Sequence, residues 1–195
     1  MVRKHHLAAT VTHRSRGNMS DVDADKLARL YLTGVEGEGR STDSGPIDGL
    51  LRDWERMHNT QRGRELGEAI VRCVADADPE LRFRALQFLN AIQTGALTEA
   101  VLPFVRGSRA LFKGVYVDGR DVDLEFMLLR VMAKLIDSNA DALELARKEA
   151  LRPDGQPSAI AARMAKVDRN WVRTHREEIE RLHPDTKPAF DNNLK

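Results

Sequence analysis

Two Glu-x-x-His pairs, Glu55/His58 and Glu180/His183, carry the residue types of a metal site. One such pair on each of two helices forms part of a ferritin-like di-metal centre, because all the ligands project into the bundle. Helical geometry argues against that use here. At about 100° per residue, His58 falls within the apolar stripe Ile47, Leu50, Leu51 and Trp54, while Glu55 lies roughly 100° from its centre. On the last long helix the stripe reads Met164, Val167, Trp171, His175 and Leu182, and Glu180 points roughly 160° away from it. No metal or other cofactor is expected. His58 and His175 are read as half-buried residues with local partners, and a general base at either would need a pocket that holds both.

Other chemistry fails on spacing. The run Asp21, Asp23, Asp25 resembles the start of a calcium loop, but Lys26 stands where glycine is needed and Leu32 where the bidentate Glu belongs. Those acids suit a helix N-terminus instead. Cys73 is the single cysteine, which rules out an intramolecular disulfide and a cysteine-based zinc site. It falls at the centre of an apolar stripe, so a buried, inert thiol is expected. Gly34, Gly37 and Gly39 have neither a preceding strand nor a lysine placed for phosphate. No catalytic residue is assigned.

Basic residues form the most regular surface feature. Arg163, Lys166, Arg169, Arg173 and Arg176 recur every three or four positions, and Arg106, Arg109 and Lys113 form a second cluster. Both clusters are expected to contact a partner. A solvated face interleaved with Glu177, Glu178 and Glu180 is the plainer alternative.

Positioning these residues is the work of helices, for strand signals are nearly absent. Thr60 suits an N-cap before Leu66, Ala69, Ile70, Cys73 and Val74. Asp78 and Pro79 then open a helix that buries Leu81, Ala85, Leu86, Leu89 and Ile92, with Gly95 closing it. Thr98 starts a short helix that Pro103 bends or breaks. Lys113 to Arg120 is a non-helical island with a turn at Asp118-Gly119, and Asp121 caps the apolar helix that follows, from Leu124 to Ile136. A further helix spans Asn139 to Leu151, and a long one runs from Ser158 to His183 with a break near Asp168.

The chain has 195 residues, 42% hydrophobic and 31% charged, a globular composition for one domain. Arg3, Lys4, Arg14 and Arg16 give residues 1–18 a charge of +4, which leaves −3 on the rest of a chain of net charge +1. A body of that charge is no general nucleic-acid binder. No apolar run of about 18 residues is present to span a membrane. The organisation expected is a flexible basic extension over 1–18 and a single domain over 19–184. A mobile Gly-rich linker at 33–45, with Pro46 opening the helix after it, and a frayed tail at 185–195 complete it.

An offset of 43 aligns Asp78 with Asp121, Leu81 with Leu124, Phe83 with Phe126 and Leu86 with Leu129. A shift of 47 sets Asp168, Trp171, His175 and Ile179 against Asp121, Leu124, Leu128 and Met132 as a fainter copy. The turn Asp-x-Asp-Pro followed by Leu81, Arg82, Ala85, Leu86 and Leu89 resembles a HEAT-type helical repeat, whose period is about 40–47 residues. The resemblance covers residues 66–107 and, less completely, 121–151. It implies an all-α fold of stacked antiparallel helix hairpins, a short HEAT-like α-solenoid. It also places Arg82 where such repeats tie neighbouring turns, so an ion pair with Asp76 or Asp78 is expected.

The function expected is a non-enzymatic, cytoplasmic protein-interaction module: a small regulator, an adaptor or a toxin-neutralising protein. The alternative is a nucleic-acid binder, or a HEAT-like DNA glycosylase using the 163–176 stripe, with Asp53, Trp54 and Trp171 cast at the lesion.

Overall fold

The computed structural model describes residues 23–33, 47–93, 95–107, 109–117 and 119–194. The basic extension 1–18, the linker beyond Thr33, Pro46 and the Asp118 half of the anticipated turn lie outside the described residues. The architecture is all-α apart from one two-stranded hairpin.

Helix α1 (Ala24–Thr33) lies across α3 (Gln61–Cys73) and buries Leu27, Ala28 and Leu32. Two reciprocal ion pairs fasten them. Arg29 bonds Asp76, and Arg72 Nη2 reaches Asp25 Oδ1 at 2.6 Å. Helix α2 (Asp48–Met57) joins this layer through the Tyr31 hydroxyl, which donates to Asp53 Oδ2 at 2.6 Å. Thr60 caps α3 as expected, its Oγ1 accepting from the Gly63 N–H at 3.0 Å. Glycine is required at 63: a Cβ there would sit 2.0 Å from the Met57 carbonyl oxygen.

Helix α4 (Pro79–Ala91) starts as anticipated, with Asp78 Oδ1 accepting from the Glu80 N–H at 2.9 Å and Pro79 in the first turn. It buries Leu81, Ala85, Leu86, Phe88 and Leu89, together with Arg82 and Arg84. A helix buried on so many sides is a central element. It packs against α1 and α3 and against α7 (Leu124–Ala133). Arg82 departs from expectation. Its Nη1 donates to the carbonyls of Asp76 at 2.6 Å and Ala77 at 3.0 Å, not to a carboxylate. The turn before α4 exposes carbonyls closer to the guanidinium than either aspartate side chain.

Gly95 does not close α4. The last carbonyls of α4, from Leu89, Asn90 and Ile92, accept from Lys134 Nζ, reaching across from the end of α7. Gly95 instead precedes α5 (Ala96–Glu99), and Thr98 is the third residue of that helix rather than its start. Its hydroxyl accepts from the Gly95 N–H at 2.8 Å. Pro103 lies in the first turn of α6 (Leu102–Arg106), so the proline separates two short helices.

The non-helical island is a β-hairpin of β1 (Val115–Val117) and β2 (Arg120–Val122), with Tyr116 opposite Asp121 and Gly119 at φ 76°. This hairpin displaces the expected cap. Asp121 is spent on β2, and Asp123 Oδ1 accepts from the Phe126 N–H at 2.8 Å to start α7. The 43-residue register still holds in burial. Positions 81, 82, 85, 86, 88, 89 and 92 are buried, and so are 124, 125, 128, 129, 131, 132 and 135.

Asn139 caps α8 (Ala140–Ala150). Helices α9 (Ala161–Val167) and α10 (Arg169–Leu182) meet at the anticipated break, where Asp168 Oδ2 takes Arg147 Nη2 at 2.7 Å. The inward face of α10 is Val172 and Ile179, with Trp171 and His175 half-buried and Val167 at 38% exposure, so the expected stripe is rotated. The tail does not fray. Residues Lys187–Asn193 form α11 on α9, burying Phe190 and Leu194. No helix among the described residues is long and apolar enough to cross a membrane.

Candidate functional site

The basic stripe is largely engaged by the chain itself. Arg163 bonds Asp137. Arg169 Nη2 donates to the Asn193 carbonyl at 3.2 Å, and Arg173 Nη2 to the Leu194 carbonyl at 3.0 Å. Both acceptors end α11, where orphan carbonyls and the negative helix end favour cations. Arg176 Nε holds Glu180 Oε1 at 2.6 Å, and its Nη2 holds Asp191. Lys166 is exposed.

The second basic cluster is not one surface. Arg106 Nη2 pairs with Asp141 Oδ2 at 2.5 Å in solvent. Arg109, expected on a contact face, is only 9% exposed. Its Nη1 meets Glu125 Oε1 at 2.8 Å and its Nη2 meets Glu149 Oε2 at 2.5 Å. Burial disfavours the Arg109 charge, but the hydrogen bond and charge of Glu149, with the charge of Glu125, outweigh it and raise its pKa. Arg152 Nη2 adds a contact to Glu125 at 3.0 Å, and the Gln156 N–H donates to Glu149 Oε1 at 2.7 Å. Lys113 Nζ lies 3.5 Å from Asp154. A cavity of about 420 Å³ opens beside this network, lined by Asp121, Asp123, Glu125 and Asp154 among others. Asp123, Glu125 and Asp154 are committed to Gln156, Arg109, Arg152 or Lys113. The network ties α7 to α8 and to the loop after it. One sequence signal pointed to it: Glu125 stands in the register position of buried Arg82, a charge inside an apolar stripe.

The metal reading of the Glu-x-x-His pairs finds no geometry. Glu180 is held by Arg176, and His183 is buried with Nε2 2.9 Å from the Arg152 carbonyl. No group of three or more His, Cys, Asp or Glu that could hold a metal exists among the described residues. His175 stacks on Trp171 at 4.3 Å with Nδ1 2.8 Å from the Trp171 carbonyl, as a locally satisfied histidine does. Cys73 is buried, and burial is the main force that pushes its thiol up to about 11.

A second, larger opening is lined by other elements. A groove of about 640 Å³ runs between α2, α3, the end of α4 and the start of α5. Trp54, Leu51, Ile92 and Leu97 supply its apolar lining, and Glu55, His58, Arg64 and Glu68 its polar one. The Trp54 indole is fixed by an edge-on contact with Phe88 at 5.3 Å and by a close approach to α3 at Gly67. A Cβ on Gly67 would lie 2.9 Å from Trp54 Cη2 and 2.6 Å from Leu97 Cδ1, so only glycine lets those side chains settle there. His58, expected half-buried, is exposed at the end of α2 with Nδ1 3.2 Å from the Trp54 carbonyl. A carbonyl only accepts, so Nδ1 carries a proton in that contact. Glu55 and Glu68 are exposed and make no hydrogen bond or ion pair among the described residues. Arg64 is turned toward Gln61 Oε1 at 2.8 Å and the Asn59 carbonyl at 3.4 Å. His175 is not among the groove's lining, so this groove does not unite it with His58.

The periodic apolar stripe containing Trp54 was legible in the sequence. The groove was not, because it is assembled from segments up to about 46 residues apart, from Leu51 to Leu97. Comparison with family models, with curated proteins and with solved structures returns no match.

Proposed function

We propose that this chain is a non-enzymatic protein-interaction module, a short HEAT-like array of stacked helix hairpins that holds a partner segment in the groove beside Trp54. The groove carries the reading: an open, largely apolar channel with polar groups at its rim is the usual form of a recognition site. The shared burial register of α4 and α7 supports the repeat architecture, since repeat arrays bury one face of each unit against its neighbour. The nucleic-acid alternative draws less support. The guanidiniums of Arg163, Arg169, Arg173 and Arg176 already engage Asp137, the end of α11, Glu180 and Asp191.

The test is selection from an unbiased displayed peptide library on the immobilised full chain. Winners are then titrated into labelled protein while the indole N–H signals of Trp54 and Trp171 are followed. The reading expects enrichment and a saturable shift of Trp54 with Trp171 unmoved. No enrichment, or a shift confined to Trp171, would sink it.

A further inference from the structure

We infer that the groove selects a segment in which a lysine or arginine is flanked by bulky apolar residues. This rests on the interaction reading above and adds the chemistry of the partner. Three observations converge on it. First, Glu55 and Glu68 flank the groove as exposed carboxylates without a cation among the described residues. Asp25, Asp137 and Asp141, also on the open surface, each hold an arginine. Second, Arg64, the one guanidinium among the groove's described lining residues, is directed to Gln61 and Asn59, so it does not neutralise both carboxylates. Third, Trp54 is the large aromatic surface of the groove, and indole is the best side-chain face for a cation. Leu51, Ile92 and Leu97 complete an apolar surface on which the methylene stem of a basic residue and its neighbours can lie while the charged head reaches the rim.

The volume is in keeping with this occupant. About 640 Å³ falls in the usual range of about 300–1,000 Å³ for pockets that enclose small ligands. It accommodates a few side chains, not a folded partner. An acidic segment would meet two carboxylates, and a purely apolar one would leave them without a cation.

Four blocked octapeptides with Gly-Ser ends test this, with centres Leu-Arg-Leu, Leu-Lys-Leu, Leu-Glu-Leu and Gly-Arg-Gly. Each is titrated into the full chain, and the Trp54 indole signal, assigned with a Trp171→Phe variant, is read. The two basic-apolar peptides are expected to shift it saturably, and the acidic and glycine-flanked ones at least about tenfold more weakly. Glu55→Gln and Glu68→Gln should each weaken Leu-Arg-Leu by about threefold, the scale of one exposed ion pair. Raising salt from low to moderate concentration should weaken it further. Equal binding of the acidic peptide, equal binding of the glycine-flanked peptide, or an unchanged Kd in both glutamine variants overturns the inference, as does a Trp54 signal that none of the four moves. The broader reading is judged separately. If the unbiased selection enriches acidic or neutral sequences that shift Trp54, the module survives and the basic-apolar preference falls; if nothing is enriched, both fall.

Discussion

The charges around Arg109 and those around Trp54 are used in opposite ways. In the first region the buried charges are all paired: Arg109 bridges Glu125 and Glu149, Arg152 and Lys113 close the set, and both glutamates are 2% exposed. The α10 stripe behaves alike, its arginines ending α11 or holding acids. In the second region Glu55 and Glu68 face solvent beside an apolar channel with no cation assigned to them. Buried charge must be paired to be tolerated, so it records how helices are held together. Exposed charge beside apolar surface is under no such constraint, and it is where recognition can be built. A regular basic periodicity is therefore a poorer guide to a binding face than an unpaired charge at a groove.

The sharpest way to break this contrast is Arg109→Met. It takes the nearest cation from buried Glu125 and Glu149 and leaves them Arg152 and Lys113 alone, and a loss of about 3–5 kcal/mol in urea unfolding is expected. A loss below about 1 kcal/mol would mean the network is not structural. Phe190→Ala should cost about 3 kcal/mol by emptying the site under α11. It should also loosen the contacts of Arg169 and Arg173, so retention of the variant on a phosphate-bearing resin should rise. Unchanged retention would show that α11 does not occupy those cations.

Cys73 extends the contrast to pH. Its thiol is raised from an ordinary 9.0 to about 11, with burial as the first cause. The folded state binds that proton more tightly than the unfolded one, so the contribution is complete below pH 9 and is lost as pH rises toward 11. Between those limits the chain should lose about 2–3 kcal/mol more stability than Cys73→Ala does. Parallel pH profiles for the two proteins would show the thiol to be more open than its burial indicates. The smallest effect is expected at the groove. Glu55→Gln combined with Glu68→Gln should change stability by no more than about 0.5 kcal/mol, since neither glutamate holds a fold contact. A larger loss in a thermal melt would move those residues into the structural class.

Much of the scaffold was legible residue by residue. Thr60 and Asp78 are caps in the sequence and caps in the fold, because an N-cap acts within three residues of itself. The stripes Leu66-Ala69-Ile70-Cys73 and Leu81-Ala85-Leu86-Leu89 are buried as their spacing requires. Where the fold departs from the local signals, the cause lies in distant segments. Asp121 and Asp123 are equally good caps locally, and the hairpin pairing of Asp121 with Tyr116 decided between them. The face of α10 turned from Trp171 to Val172 and Ile179 because α9 and the turn at 184–186, not α10's own pattern, set which side is covered. The tail became a helix because Phe190 and Leu194 found a buried site on α9 that no local signal announces.

What the sequence determined by itself is helix content, the starts of α3, α4 and α8, the break at Asp168 and the 43-residue apolar register, all properties of neighbours within a few turns. Only the tertiary structure decided that Arg109 is interior, that the basic stripe ends the chain's own last helix, and that Trp54, Glu55 and Glu68 border one open channel. These depend on which distant segments share a boundary. Burial and charge pairing are energies of that boundary, and they are assigned only when the helices pack.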